Sequence, residues 1–289
     1  MYRQINEQNT KGIQKDEYLP GFAYVDGVRF DPEDEANLMM EPMAMLLDEF
    51  IGRHNITSVL DVGSGSGSLA WYLRQMNPSL SIVTLDGNVD TVKSPFIAED
   101  HHFVVRTDQD YQIVDKDGNN AEFDLIISFE HLEHIQEENF VNFLQNIKNH
   151  SHDKTFFIAT AAKWEYENEE EKHIHCNVKT IEEWHHYMEA NSPFAGEKNH
   201  SFWDIKSILE KHVAGQNPFE TWTSPILGAR LTLRMYDMFV MEPGENMDQR
   251  FAPYTRENAS KVTSWGHRIT TSLLIFIAGQ MDHYGQEIK

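Results

Sequence analysis

The chain predicts an α/β fold, a doubly wound and mostly parallel sheet with helices on both faces. From Ser58 to Thr160 apolar strand-like runs alternate with helix-like segments, and a strand that returns parallel to its predecessor needs a crossover of this kind. The run Val59-Leu60-Asp61-Val62 leads into Gly63-Ser64-Gly65-Ser66-Gly67. Residues without a Cβ let such a turn reverse tightly and let a ligand approach the backbone, and the helix that follows presents unpaired N–H groups. No internal repeat or low-complexity linker divides the 289 residues, so they read as one domain with additions at both ends.

Taken in order, the first 30 or so residues are polar, with turn signals at Leu19-Pro20-Gly21 and Asp26-Gly27. Asp31-Pro32-Glu33-Asp34 reads as a helix start, Asp31 capping and Pro32 at the first helical position. Leu38, Met39, Met43, Leu46, Leu47 and Phe50 then recur at helical spacing as a core face. Residues 1–54 are thus expected to form an N-terminal helical cap. Strand one is Val59–Val62. The helix Leu69–Met76 is stopped by Asn77-Pro78, because proline cannot continue a helix. Strand two is Ser81–Leu85, ending at Asp86-Gly87; strand three is Phe103–Arg106; strand four is Phe123–Ser128, after the turn Asp115–Asn120. A helix bearing Phe140, Phe143, Leu144 and Ile147 precedes strand five, Thr155–Thr160. An acidic stretch from Glu165 to Glu171 reads as a solvated loop. After a helix at Ile181–Met188, the segment Ile226–Met241 reads as the final strand or hairpin. The main domain is therefore placed at 55–241, and residues 242–289 as a C-terminal extension packed on it.

Charge narrows the partners. Lys and Arg number 24 against 46 Asp and Glu, a net charge of −22, which repels a phosphate backbone and disfavours nucleic acid. The single Cys176 permits no internal disulfide, and the first residues lack the apolar run of a secretory signal, so a cytoplasmic location is expected. Leu273–Ala278, the longest apolar run, is far shorter than the roughly 20 residues that span a bilayer and reads as a buried strand or helix segment. A homodimer is left open.

The glycines are spaced Gly-x-Gly-x-Gly rather than Gly-x-Gly-x-x-Gly, with Asp61 two residues before the first. This disfavours a nicotinamide or flavin site. It resembles motif I of the class I S-adenosylmethionine (SAM) dependent methyltransferases, which implies a seven-stranded Rossmann-like sheet and SAM as cofactor. The resemblance covers roughly residues 55 to 240. It implies that the backbone of Asp61, Gly63, Ser64 and Gly65 approaches the methionyl and ribose portions of the cofactor. Asp86, with Gly87 behind it, stands where an acceptor-only carboxylate suits the two ribose hydroxyls. Thr107-Asp108-Gln109 matches the adenine-binding position, and Phe123–Ser128, ending in Ser128, matches motif IV.

Directly after strand four stands Glu130-His131-Leu132-Glu133-His134-Ile135. On a helical turn Glu130, Glu133 and His134 project from one side and His131 points away. The run resembles the Glu-x-x-Glu-His element with which ubiquinone-biosynthesis O-methyltransferases and small-RNA 2′-O-methyltransferases hold a divalent cation. In the RNA group a further His arrives after strand five, where this chain has His173-x-His175. The resemblance thus implies Mg²⁺ or Mn²⁺ on Glu130, Glu133, His134 and His175; packing of the helix start is the other reading. Glu130, His134 and His175 are also the candidate catalytic residues, since a hydroxyl acceptor gains from a base or from a cation that lowers its pKa. His101, His102, His150, His185 and His186 read as surface or packing residues.

O-methylation of a small-molecule hydroxyl is the expected activity. The chain lacks an Asn/Asp-Pro-Pro-Tyr/Phe tetrapeptide after strand four and a Pro-Cys context for Cys176, which argues against methylation of DNA bases. Trp164, Tyr166, Trp184, Phe202, Trp203 and Trp222 are candidates either to wall an acceptor or to fill the core. The alternatives are an RNA 2′-O-methyltransferase, with Arg230, Arg234, Arg250, Arg256 and Arg268 as a local basic cluster, and a non-catalytic SAM-binding subunit.

Overall fold

In a computed structural model, the structure describes residues 2–6, 40–162, 175–191, 195–196, 221–223, 230–232, 240–241 and 271–277. The central sheet is built from β1 (Ser58–Val62), β2 (Ser81–Asp86), β3 (His102–Val104), β4 (Phe123–Ser128), β5 (Ser151–Ala162), β6 (Ala195–Gly196) and β7 (Thr271–Ile277), in the order β3-β2-β1-β4-β5-β7-β6. The first five strands run parallel. β7 pairs antiparallel with β5 over seven residues, from Thr271 opposite Ala162 to Ile277 opposite Phe156, and also with β6. The order reverses between β1 and β4, so the carboxyl ends of these two strands flank the crevice where such sheets bind ligands.

Among the described residues four α-helices accompany the strands: α1 (Met40–His54), α2 (Ser68–Met76), α3 (Glu137–Asn149) and α4 (Ile181–Asn191). Strand alternation divides the core in two. Leu60 and Val62 of β1, with Val83 and Leu85 of β2, face Phe140, Phe143 and Leu144 of α3 and Trp184 and Met188 of α4. Val59, Ile82, Leu125 and Ile127 face Ala44, Leu47 and Phe50 of α1 and Leu69, Tyr72 and Leu73 of α2. Each fully buried Leu or Phe contributes roughly 1.5–3 kcal/mol. Lys179 sits over the rings of Trp184 and Tyr187 at 5.4 and 5.1 Å, securing the start of α4.

The five parallel strands fall where their apolar runs predict, with ends differing by a few residues. The far edge corrects the sequence reading. The last strand of the central sheet is Thr271–Ile277, not Ile226–Met241; within the latter region Arg230–Thr232 pairs antiparallel with Val240–Met241, as the hairpin alternative expects, and on its other side with Thr221–Thr223, in a separate three-stranded sheet. Both segments carry similar apolar, β-branched residues. What separates them is a partner strand distant in sequence, which local pattern does not encode. Within the N-terminal residues read as polar with turn signals the structure adds a short strand: Arg3–Gln4 pairs with Ile113–Val114, while the Tyr2 ring packs on Phe123 at 5.6 Å and its hydroxyl meets Ser81 Oγ at 3.1 Å. The expected N-cap Asp31, with Leu38 and Met39, lies outside the described residues. Among the described residues no helix is long and apolar enough to cross a membrane.

Candidate active site

The turn after β1 is fastened to β2. The amides of Gly63 and Ser64 both donate to the Leu85 carbonyl at 2.9 Å, and Gly67 N donates to Ser64 O. Gly65 N donates to Asp86 Oδ2 and Asn88 N to Asp86 Oδ1, each at 2.8 Å, so the carboxylate at the end of β2 organises the turn itself. Gly63 (φ +77°) and Gly65 (φ +53°) both occupy the left-handed region. A Cβ on Gly65 would meet nothing within 4 Å, which leaves an open cradle beside Asp86.

Two carboxyls at this edge are poorly solvated. Asp61 is buried, and its Oδ2 has no hydrogen-bond partner. Burial pushes its pKa up to about 7, with Asp86 adding to the rise and Arg74 opposing it. Asp86 is pushed up to about 6 by burial, against the pull of the Asn88 and Gly65 amides. A buried carboxyl oxygen without a donor fits a ligand that brings a cationic donor.

The remaining predicted cofactor residues are placed as follows. The Ser128 hydroxyl is buried and donates to Val62 O at 2.9 Å, tying β4 to β1. The Asp108 carboxylate receives Arg106 Nη2 at 2.8 Å and Arg106 Nε at 3.1 Å, and Asn139 Nδ2 at 3.2 Å. Gln109 is exposed, and its carbonyl accepts from Asn146 Nδ2 at 2.7 Å. Gly87 follows Asp86 and is partly exposed.

The segment after β4 is not one helical turn. Glu130 takes φ +48°, which is costly for a residue with a long side chain. Its amide donates to Thr160 Oγ1 at 2.9 Å, and the Thr160 hydroxyl donates to Glu130 Oε1 at 2.8 Å. After this corner a single 3-10 turn, Leu132–His134, carries the other two predicted residues. Residues 175–177 are stitched beside it: Asn177 N donates to Glu133 O and Asn177 Nδ2 to Ile135 O, both at 3.0 Å, while Cys176 Sγ donates to His134 O at 3.5 Å. His175 is thereby set against His134, ring centroids 4.9 Å apart. Glu133, His134 and His175 bring one ligand atom each within 4.8 Å of one another. Three members of the predicted quartet therefore converge, and Glu130 instead pairs with Thr160.

Thr160, Asn177 and His131 are not site residues on the sequence pattern, and Thr107 enters only as the first residue of the Thr107-Asp108-Gln109 stretch. Helical spacing would turn His131 away, yet a Cβ on Gly63 would lie 2.3 Å from its Cγ. Its Nε2 shares a hydrogen bond with Thr107 Oγ1 at 2.8 Å. Burial, then the charge of His134, lowers its pKa to about 3, so the ring is neutral. An outward His131 follows only if Glu130 is helical. Trp184 is fully buried against Phe140 and belongs to the core. The backbones of Trp222 and Arg230 lie in strands, but their side chains lie outside the described residues, as do His173, Trp164, Tyr166, His185, Phe202, Trp203, Arg234, Arg250, Arg256 and Arg268.

No curated protein matches the sequence. Similar solved structures include the plantazolicin methyltransferase BpumL in complex with a pentazolic desmethylPZN analog and SAH, at 10% identity over 86% of this chain and 88% of that one, TM-score 0.43. The mitomycin 7-O-methyltransferase MmcR is similar at 14% identity over 56% and 49%, TM-score 0.41. The glycopeptide N-methyltransferase MtfA complexed with sinefungin is similar at 14% identity over 43% and 55%, TM-score 0.33. The family model described as a methyltransferase domain matches residues 33–192. Because that match takes in more than half of the sequence, and falls on the strands that carry the glycine turn and Asp86, the chain belongs to this family and is a Rossmann-like, SAM-dependent methyltransferase.

Proposed function

We propose that the enzyme methylates a hydroxyl group of a small molecule, with Glu133, His134 and His175 on the acceptor side. The observation that carries this is the convergence of one carboxylate and two imidazoles within 4.8 Å beyond the end of β4. SAM supplies an electrophilic methyl on a sulfonium, so the protein has to align the acceptor and free its lone pair. An amine needs little help; a hydroxyl gains from a base or a cation. His134 or His175 can take the hydroxyl proton on a ring nitrogen while Glu133 stabilises the imidazolium that forms.

In this reading the cofactor lies across the ends of β1 and β2. Asp61 receives its ammonium, the Gly63–Gly65 backbone lines its methionyl and ribose portions, and Asp86 accepts from the ribose hydroxyls. Asp108 and Gln109 lie on the adenine side. The same three acceptor-side residues fit a divalent cation, and a set with two imidazoles favours Mn²⁺ over Mg²⁺. The cation would hold the acceptor oxygen and lower its pKa.

Calorimetric titration of Mn²⁺ and Mg²⁺ into enzyme saturated with S-adenosylhomocysteine tests the metal. Saturable Mn²⁺ binding that is lost in Glu133→Ala and His175→Ala is expected. Absence of binding removes the cation and leaves the histidines as bases. Methyl transfer to hydroxyl acceptors that survives both substitutions overturns the assignment of the cluster.

A further inference from the structure

His131 makes contacts that the methyl-transfer chemistry does not use. It stands between two segments that belong to different strands. On one side its ring lies against Gly63, where any Cβ would come within 2.3 Å of Cγ and 2.5 Å of Nδ1. On the other its Nε2 is 2.8 Å from Thr107 Oγ1. The edge of Phe143 supports the ring, centroids 5.9 Å apart. Both flanking segments are themselves fixed: Gly63 N is bonded to Leu85 O, and Thr107 O accepts from Asn146 Nδ2 at 3.2 Å.

We infer that His131 is a positioning residue of the cofactor pocket, a wedge that sets the distance between the glycine turn after β1 and the loop after β3. The inference rests on the proposed reading in which these segments line the methionyl and adenine ends of that pocket. A ligand that touches both ends senses their separation, and one side chain in contact with both determines it. Gly63 is then required for two reasons: a Cβ would be strained at φ +77°, and it would occupy the space of the ring. Releasing the wedge costs cofactor affinity while the two hydrophobic cores stay intact, since neither depends on the Thr107 hydrogen bond.

The test is calorimetric titration of S-adenosylhomocysteine into His131→Phe, which keeps a planar ring without the hydrogen bond, into Thr107→Val, and into the double variant. Each single variant is expected to lose about three- to ten-fold in affinity, the worth of one net hydrogen bond. The double variant is expected to lose no more than the larger single loss, because both remove the same contact. His131→Gln, which keeps a polar group at similar reach, should recover part of the loss, and the ligand-free melting temperatures should stay close to wild type. Should His131→Phe fail to fold, Thr107→Val carries the test alone. Wild-type affinity in Thr107→Val and His131→Phe overturns the inference, as does a loss matched by an equal fall in ligand-free stability. Asp86→Ala, run in parallel, separates the two readings: if it weakens binding and the His131 variants do not, only the wedge fails. If it too binds as wild type, the pocket assignment fails and takes the wedge with it.

Discussion

The glycine turn and the carboxylate–histidine turn stand at the carboxyl ends of neighbouring strands, β1 and β4, yet they are held by different means. The first is a backbone structure, fastened by amide hydrogen bonds to Leu85 and Asp86 and shaped by glycines. The second hangs on a residue in an unfavourable conformation, Glu130, and on residues distant in sequence: Thr160 within β5, and His175 and Asn177 after it. A turn built from amides presents a fixed surface suited to an invariant ligand. A corner held by side chains from another strand can be retuned by changing those side chains, as acceptor choice demands.

The contrast can be broken by substitution. The largest effect is expected at Gly63→Ala, which combines left-handed backbone strain with a clash against His131, about 2–4 kcal/mol of stability; denaturant unfolding measures it, and a loss below about 1 kcal/mol would show that the turn yields. Asp86→Ala comes next. It removes the carboxylate assigned to the ribose and the partner of two turn amides, so calorimetry should show S-adenosylhomocysteine affinity falling about 10- to 100-fold. Unchanged affinity would move the pocket elsewhere.

Thr160→Val tests the other side. Without its hydroxyl Glu130 loses two hydrogen bonds, and about 1–2 kcal/mol should appear as lower kcat/KM for the acceptor with cofactor affinity unchanged. Loss of cofactor affinity instead would mean that the two turns are one mechanical unit.

The smallest effect is a dependence on pH. Asp61 has its pKa raised to about 7 and Asp86 to about 6 in the folded chain, above an unfolded value near 4. The folded state therefore retains protons that the unfolded state has released. Ligand-free stability should fall as pH rises from about 4 through about 7, the penalty being complete above the folded values. Asp61→Asn should thus gain on wild type as pH rises through this range, while binding S-adenosylhomocysteine more weakly. Parallel melting curves for the two proteins across this range would show that Asp61 is ionised at no cost.

The same difference decides what could be read in advance. Val59–Val62, the three glycines and Asp86 form a local pattern in which each residue type answers to its own backbone, so strand, turn and carboxylate were legible. Glu130 defeats local reading because Thr160, some 30 residues away, stabilises a conformation its own preferences oppose. With that corner straightened into a helix, His131 pointed outward and Glu130 joined the cluster; the actual bend reverses both. The run within β7 reads as a buried strand or helix segment, but its place in the central sheet escapes for a related reason, since its partner strand ends far upstream.

β7 also imposes a schedule on synthesis. The edge of β5 that β7 covers leaves the ribosome well before Thr271 does, with roughly 110 residues still to be translated, about 5–20 s at ordinary elongation rates. Throughout that interval an apolar strand presents unpaired amides and carbonyls to any extended chain nearby. Recovery of soluble enzyme should therefore depend on translation speed and on chaperone supply at that stage more than on the stability of the finished fold.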